Sequence, residues 1–273
     1  MGLGGTRLAV VVLGIIAAMG ASEGASAQSD ETWQSVRPDV FGERSIQDNS
    51  PLVVLTAPSR ADDAALVPVE VRAALPAGDA RTIAKITVIV DENPAPVAAS
   101  FRLGPDRREA HLSTRLRVNA YSFVRAVAET SDGALHMAAR YVKAAGGCSA
   151  PALKDQDESL AKIGEMRLRN LAAAGEGGAP GLSRAQLMIR HPNYSGLQMN
   201  QLTRHYIPAR FVDQIVVRQG GELVFEMEGG ISLSEDPVIG FDYKPNGAGL
   251  QVRAKDTDGR AFETSLEGDR NPS

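Results

Sequence analysis

The sequence contains a single cysteine, Cys148, among 273 residues. No intramolecular disulfide can form, and a cysteine-rich metal site is excluded. The chain also lacks an excess of basic residues: 29 Lys and Arg against 33 Asp and Glu give a net charge of −4, which argues against a nucleic-acid backbone as partner. With 43% hydrophobic and 23% charged residues, the composition excludes disordered, collagen-like and disulfide-scaffold classes.

Motifs of several common enzyme classes are missing as well. There is no Gly-x-Ser-x-Gly nucleophile elbow, and neither a phosphate-binding loop nor a dinucleotide fingerprint occurs. The four histidines lack tight metal-ligand spacing; they are His111, His136, His191 and His205. His191 and His205 have Met188 and Met199 nearby, which keeps copper delivery as a weak alternative. A surface or hydrogen-bonded role is favoured for each histidine, so we predict neither a metal nor a cofactor.

The longest apolar run lies near the N-terminus. Arg7 precedes apolar residues 8–19, a run shorter than the ~20 residues that span a bilayer. Ala25-Ser26-Ala27 then has the small-x-small pattern that signal peptidase reads. We predict a cleaved signal peptide over residues 1–27, with an uncleaved anchor as the alternative. The mature protein would be exported and soluble, with one unpaired thiol in an oxidising compartment.

Short alternating runs dominate residues 28–151. In residues 110–118, apolar side chains alternate with His111, Ser113, Arg115 and Arg117, as in a strand with one buried face. Strands are predicted over residues 52–56, 67–72, 83–90, 97–103, 110–118, 123–130 and 135–143, after a short helix over 33–41. This count and spacing indicate an immunoglobulin-like β-sandwich that lacks the internal disulfide.

A change of composition follows this first domain. Residues 153–174 are charged and helix-prone, and the glycine-rich residues 175–181 have the composition of a linker. The charged stretch 154–169 is either a partner-binding helix or, as we favour, a solvated connector. Strand patterns then resume over residues 185–190, 211–218, 223–227, 238–243, 250–254 and 261–265. The predicted fold is therefore all-β, with two immunoglobulin-like β-sandwich domains, 28–151 and 183–273, joined by a partly helical linker over 152–182.

Cys148 stands in an unusual local context. Gly146 and Gly147 precede it and remove side-chain bulk, so we expect them to make this segment a flexible arm. An unperturbed thiol has a pKa of ~8.5 and is a weak nucleophile at neutral pH. Lys143 is the one basic group nearby in sequence. The pattern therefore predicts an accessible but not activated thiol; the alternative is an inert cysteine buried in a loop.

Several motifs resemble those of a known family. Gly146-Gly147-Cys148 at the end of a sandwich domain resembles the sulfur-binding arm of SoxY, the carrier subunit of the periplasmic sulfur-oxidising complex. The turn Asp91-Glu92-Asn93-Pro94 is also similar to SoxY. In the second half, 188–196 (MIRHPNYSG) and 231–237 (ISLSEDP) resemble SoxZ, the small partner subunit. The order of motifs resembles the fused quinoprotein dehydrogenase-associated SoxYZ-like carriers.

This resemblance implies a periplasmic carrier rather than an enzyme. It implies that Cys148 covalently holds a small sulfur-containing cargo and presents it to partners, which would be periplasmic sulfur-oxidising enzymes or a quinoprotein dehydrogenase. The alternative is a non-covalent binding or assembly module for that dehydrogenase. The sequence departs from the family arm after the cysteine, because Ser149-Ala150-Pro151 follow and the chain continues. An arm tethered at both ends has less reach into a deep enzyme pocket than a free tail has.

Overall fold

The computed structural model describes residues 1, 23–151, 156–171 and 181–268. Most of the predicted signal peptide, residues 2–22, lies outside the described residues, so its cleavage and the export of the chain stay predictions. Neither helix within the described part of the chain is long and apolar enough to cross a bilayer.

The N-terminal helix α1 spans Glu23–Phe41 and is longer than the predicted 33–41. Trp33 and Phe41 pack edge to face with ring centroids 6.3 Å apart. Both lie against one face of a β-sheet, where they cover Ile89 and Val127. The helix ends where the Gly42 amide donates to the Pro38 carbonyl at 2.8 Å.

The first half contributes eight strands. They are β1 (Ile46–Gln47), β2 (Val53–Thr56), β3 (Val67–Ala74), β4 (Ile83–Val90), β5 (Val97–Leu103), β6 (Glu109–Leu116), β7 (Ser122–Thr130) and β8 (Leu135–Val142). The seven predicted strands are β2–β8. Strand β4 is apolar on both faces because Ile86 and Val88 face the main core while Ile89 lies under α1.

The second half contributes a short helix and seven strands. They are α2 (Gln156–Ala161), β9 (Met166–Leu171), β10 (Ser183–Ile189), β11 (Val212–Gln219), β12 (Glu222–Gly229), β13 (Val238–Tyr243), β14 (Leu250–Asp256) and β15 (Ala261–Leu266). The interpretation of residues 152–182 as linker is wrong for β9. This strand pairs antiparallel with β10, with Leu168 opposite Leu187. Arg167 and Arg169 on its exposed face gave the segment the charge density of a connector.

The strands form two sheets, and both sheets contain strands of both halves. The nine-stranded sheet has the order β1-β8-β7-β4-β5-β12-β11-β14-β15, and the six-stranded sheet has the order β2-β3-β6-β13-β10-β9. The halves meet where β5 pairs with β12 and where β6 pairs with β13. The all-β, immunoglobulin-like fold is confirmed. Beyond that prediction, the two halves are joined edge to edge through continuous sheets, and not by the segment between them alone.

One hydrophobic core runs through this junction. Phe101 on β5 lies 5.8 Å from Phe225 on β12, and Phe225 lies 5.0 Å from Phe241 on β13, measured between ring centroids. All three rings are at most 1% exposed. Aromatic contacts in these tilted and edge-to-face geometries therefore connect the first half to both sheets of the second.

Candidate functional site

Cys148 lies six residues after the end of β8, where the two halves meet. The segment that carries it is docked by backbone hydrogen bonds against the end of β6. The Gly146 amide donates to the Asn119 carbonyl at 2.8 Å, and the Gly147 amide donates to the Val118 carbonyl at 3.0 Å. We call residues 146–150 the arm.

The two glycines of the arm meet specific steric demands. Gly146 has φ +78°, in the left-handed region that glycine adopts without penalty. At Gly147 a Cβ atom would lie 2.1 Å from the carbonyl oxygen of Ala64 and 2.7 Å from the amide nitrogen of Val118. Both positions therefore require glycine for docking. The predicted role of Gly146 and Gly147 in arm flexibility stays a prediction.

Three arm carbonyls accept hydrogen bonds from buried side chains. Arg117 Nη1 donates to the Gly147 carbonyl at 3.1 Å. From the second half, Ser195 Oγ donates to the Cys148 carbonyl, and Gln198 Nε2 donates to the Ala150 carbonyl at 2.9 Å. The three donor residues are at most 4% exposed.

The thiol itself faces inward, and the predicted accessible thiol is not what the structure contains. Cys148 is 0% exposed. Burial raises the pKa of its thiol to about 11, although the positive charge of Arg117 acts in the opposite direction. The docked thiol is therefore protonated near neutral pH, and a protonated thiol is a poor nucleophile.

Arg117 is a residue of the candidate site that the sequence pattern did not predict. The alternating pattern of 110–118 placed it on the exposed face, yet it is only 1% exposed. Strand β6 ends at Leu116, and the second half covers the next residue, since the Arg117 amide donates to the Ser232 carbonyl at 2.7 Å. Its Nε has no hydrogen-bond partner among the described residues. The basic group that acts on the thiol is thus Arg117, thirty-one residues before it in the chain. Lys143 is the basic group nearby in sequence.

The positive charge of Arg117 opposes the effect of burial on the Cys148 thiol but does not outweigh it. Burial lowers the pKa of Arg117, and the negative charges of an ionised Cys148 thiolate, Glu235 and Asp63, in that order, counteract this effect. A buried guanidinium is costly unless anions compensate it. An anionic group on the sulfur of Cys148 would therefore be stabilised by Arg117 more than the neutral thiol is.

The motifs singled out in the sequence converge at this place. The Asn93 side chain, from the turn after β4, donates to the Arg117 carbonyl at 2.7 Å and to Ser232 Oγ at 2.8 Å. Arg117 also donates to the Asn193 carbonyl at 3.5 Å. The turn of the first half and both motifs of the second half thus surround the residue that holds the arm.

His191 shapes the loop that presents Ser195. Its Nδ1 accepts from the Asn193 amide at 3.0 Å, and its Nε2 lies 3.5 Å from Asp256. Asp256 in turn pairs with Arg210 at 3.0 Å. Both ring nitrogens therefore have protein partners, which fits the hydrogen-bonded role favoured for this histidine. Within the described ranges, no cluster of three or more His, Cys, Asp or Glu residues is placed to hold a metal ion.

Comparison with known families matches both halves of the chain. The family model of the sulfur oxidation protein SoxY matches residues 37–148, and that of the sulphur oxidation protein SoxZ matches residues 172–267. The chain is a fusion of a SoxY-like and a SoxZ-like domain. The SoxY match ends at Cys148, so the arm cysteine is the last residue of the matched range. The SoxZ-like match includes Ser195 and Gln198, which bind the arm.

Solved structures include similar chains. The sulfur carrier protein SoxY from Chlorobium limicola f thiosulfatophilum is 28% identical, over 45% of this chain and 100% of that one, with a TM-score of 0.38. A superoxide reductase (neelaredoxin) from Ignicoccus hospitalis is 13% identical, over 42% of this chain and 90% of that one, with a TM-score of 0.28. No curated protein matches the chain.

Proposed function

We propose that this SoxYZ-like fusion is a periplasmic carrier that holds a small sulfur-containing group covalently on Cys148 and presents it to partner enzymes. The observation that carries the proposal is the position of the one cysteine of the chain, at the end of the SoxY match and at the junction with the SoxZ-like half. Both matched families are sulfur oxidation proteins. The predicted signal peptide supports the compartment.

Loading of the carrier requires an electron acceptor. When a sulfur-containing anion RS⁻ couples to the thiol, one S–S bond forms and the S–H bond of Cys148 breaks. The products are Cys148–S–S–R, one proton and two electrons. Because a chain with one cysteine holds no intramolecular disulfide that could accept those electrons, they must pass to a redox partner enzyme. The partners are periplasmic sulfur-oxidising enzymes or a quinoprotein dehydrogenase.

Intact-mass measurement tests covalent carriage. The protein is exported to the periplasm of its expression host and purified without reductant, and its mass is compared before and after treatment with dithiothreitol. The proposal expects an adduct that reduction removes and that Cys148→Ser lacks. A free thiol only, together with no adduct after incubation with thiosulfate or sulfide and an electron-accepting partner, would contradict covalent carriage.

A second candidate function is non-covalent assembly with a quinoprotein dehydrogenase. The observation that favours it is the buried, protonated state of the docked Cys148 thiol. In this case Cys148→Ser would keep both the binding of the dehydrogenase and its activity. Loss of both in a folded Cys148→Ser variant would contradict assembly as the function.

A further inference from the structure

We propose that Ser195 and Gln198 are positioning residues that hold the arm docked, and that release of their two hydrogen bonds is what makes the Cys148 thiol reactive. We call these two hydrogen bonds, to the carbonyls of Cys148 and Ala150, the arm latch. The inference rests on the proposed function for the presence of a cargo, but its test needs none.

The latch is built from one loop of the SoxZ-like half. The Ser195 amide donates to Gln198 Oε1 at 3.1 Å, and the Leu197 amide donates to Ser195 Oγ at 3.2 Å. These hydrogen bonds within the loop hold the two latch side chains in position relative to each other, independently of the arm. Gln198 is 0% exposed and Ser195 is 4% exposed, so water does not compete with the arm carbonyls for their hydrogen bonds.

The geometry of the arm allows release without unfolding of the sandwich. Gly146 and Ser149 are exposed while Gly147 and Cys148 are buried, so the arm is a surface segment with the thiol on its inner side. No strand pairs with residues 146–150. A handful of hydrogen bonds, each of modest net strength, therefore holds the arm, and none of them belongs to a sheet.

The docked arm leaves no room for additional atoms on the Cys148 sulfur, so loading favours release. The sulfur belongs to a residue with 0% exposure, so added atoms on it must displace their neighbours in a closely packed region. A loaded arm is consequently disfavoured by its volume in the docked position, even though the positive charge of Arg117 attracts an anionic group there. Release also removes the burial that raises the pKa of the thiol, so the released thiol ionises more readily.

Alkylation of the mature chain by iodoacetamide measures the release. We compare the wild type with Ser195→Ala, Gln198→Ala and the double variant. Loss of one hydrogen bond of typical net strength shifts the opening equilibrium about five-fold. The rate of Cys148 alkylation should therefore rise about five-fold in each single variant and roughly twenty-fold in the double variant.

A matched control separates the latch from general loosening. Gln219 is also buried, and its Nε2 donates to the Ala248 carbonyl at 3.1 Å, on the SoxZ-like half and outside the arm. Gln219→Ala removes the same kind of bond and should leave the alkylation rate within about two-fold of the wild type. Equal acceleration by Gln219→Ala, or wild-type rates in both latch variants, would overturn the proposal.

Two further measurements keep the test decisive. If Gln198→Ala fails to fold, Gln198→Asn keeps the amide but shortens its reach and should still accelerate alkylation.

The pH profile of alkylation should move to lower pH in the latch variants. The arm is released in a larger fraction of their molecules, and burial does not raise the pKa of a released thiol. An unmoved profile contradicts the latch. If the latch variants accelerate alkylation as expected but no mass adduct is found, only covalent carriage is rejected. The two proposals can therefore be refuted independently.

Discussion

Phe225 at the junction offers a direct test of whether the SoxY-like and SoxZ-like halves unfold together. Its ring touches Phe101 of the first half and Phe241 of the second, at 5.8 and 5.0 Å between centroids. The variant Phe225→Ala removes both contacts and leaves a cavity in a core that is continuous across the two halves. We expect this single change to destabilise both halves at once.

The magnitude follows from the burial of the ring. Phe225 is 1% exposed, and replacement of a fully buried phenylalanine by alanine lowers the free energy of unfolding by about 3–5 kcal/mol. In urea the free energy falls by about 1–3 kcal/mol per molar, towards the upper end for larger chains. The midpoint of unfolding should therefore fall by about 1–2 M.

Trp33 is the probe for this experiment because it is the one tryptophan of the chain and packs in the first half, against Phe41. Urea unfolding is followed by Trp33 fluorescence and, in parallel, by far-UV circular dichroism. Both signals should shift together in Phe225→Ala. Tyr206 is 66% exposed, so Tyr206→Ala, which also removes an aromatic ring from the second half, should change neither midpoint. An unshifted Trp33 transition beside an earlier transition in circular dichroism would refute the shared core as the source of stability.

The arm and the buried histidine give two further predictions. Gly147→Ala places a methyl group 2.1 Å from the Ala64 carbonyl oxygen; this overpacking costs about 1–3 kcal/mol and should accelerate Cys148 alkylation by roughly five- to hundred-fold. In Gly146→Ala the new Cβ meets nothing within 4 Å, and only the strain of a φ of +78° remains. This variant should therefore accelerate alkylation less than Gly147→Ala does, and the reverse order would contradict the docked arm. Burial lowers the pKa of His191 below its ordinary value of 6.5. As the pH falls through 6.5, this histidine therefore takes up a proton in the unfolded chain before it does so in the folded chain. The free energy of unfolding should consequently fall as the pH falls. His191→Gln should reduce this dependence in urea titrations between pH 7 and 5; an unchanged slope would show that His191 is not its source.

Local pattern determined most of the strands. Strands β4, β5 and β13 occupy the residues predicted for them, because alternation and β-branched runs act within a few neighbouring residues. The pattern failed at β9, an edge strand in which only Leu168 is buried. An edge strand with one buried side chain has too little apolar periodicity to differ from a charged connector.

The sequence predicted only part of the candidate site. The sequence alone pointed to Cys148, since a lone cysteine after two glycines needs no structure to be noticed. Arg117 escaped because strand alternation predicts which face a side chain takes, but not whether another segment covers that face. Its burial comes from the loop at Ser232, more than a hundred residues away in the chain.

The sequence by itself determined the all-β class, the order of the SoxY-like and SoxZ-like halves and the position of the one thiol. Only the tertiary structure decided that the halves share both sheets and that the thiol is buried and protonated. The physical reason is the sequence separation over which each interaction acts. Strand formation follows local side-chain periodicity, whereas sheet joining, burial and pKa depend on residues that folding alone brings together, as it brings Ser195 to Cys148.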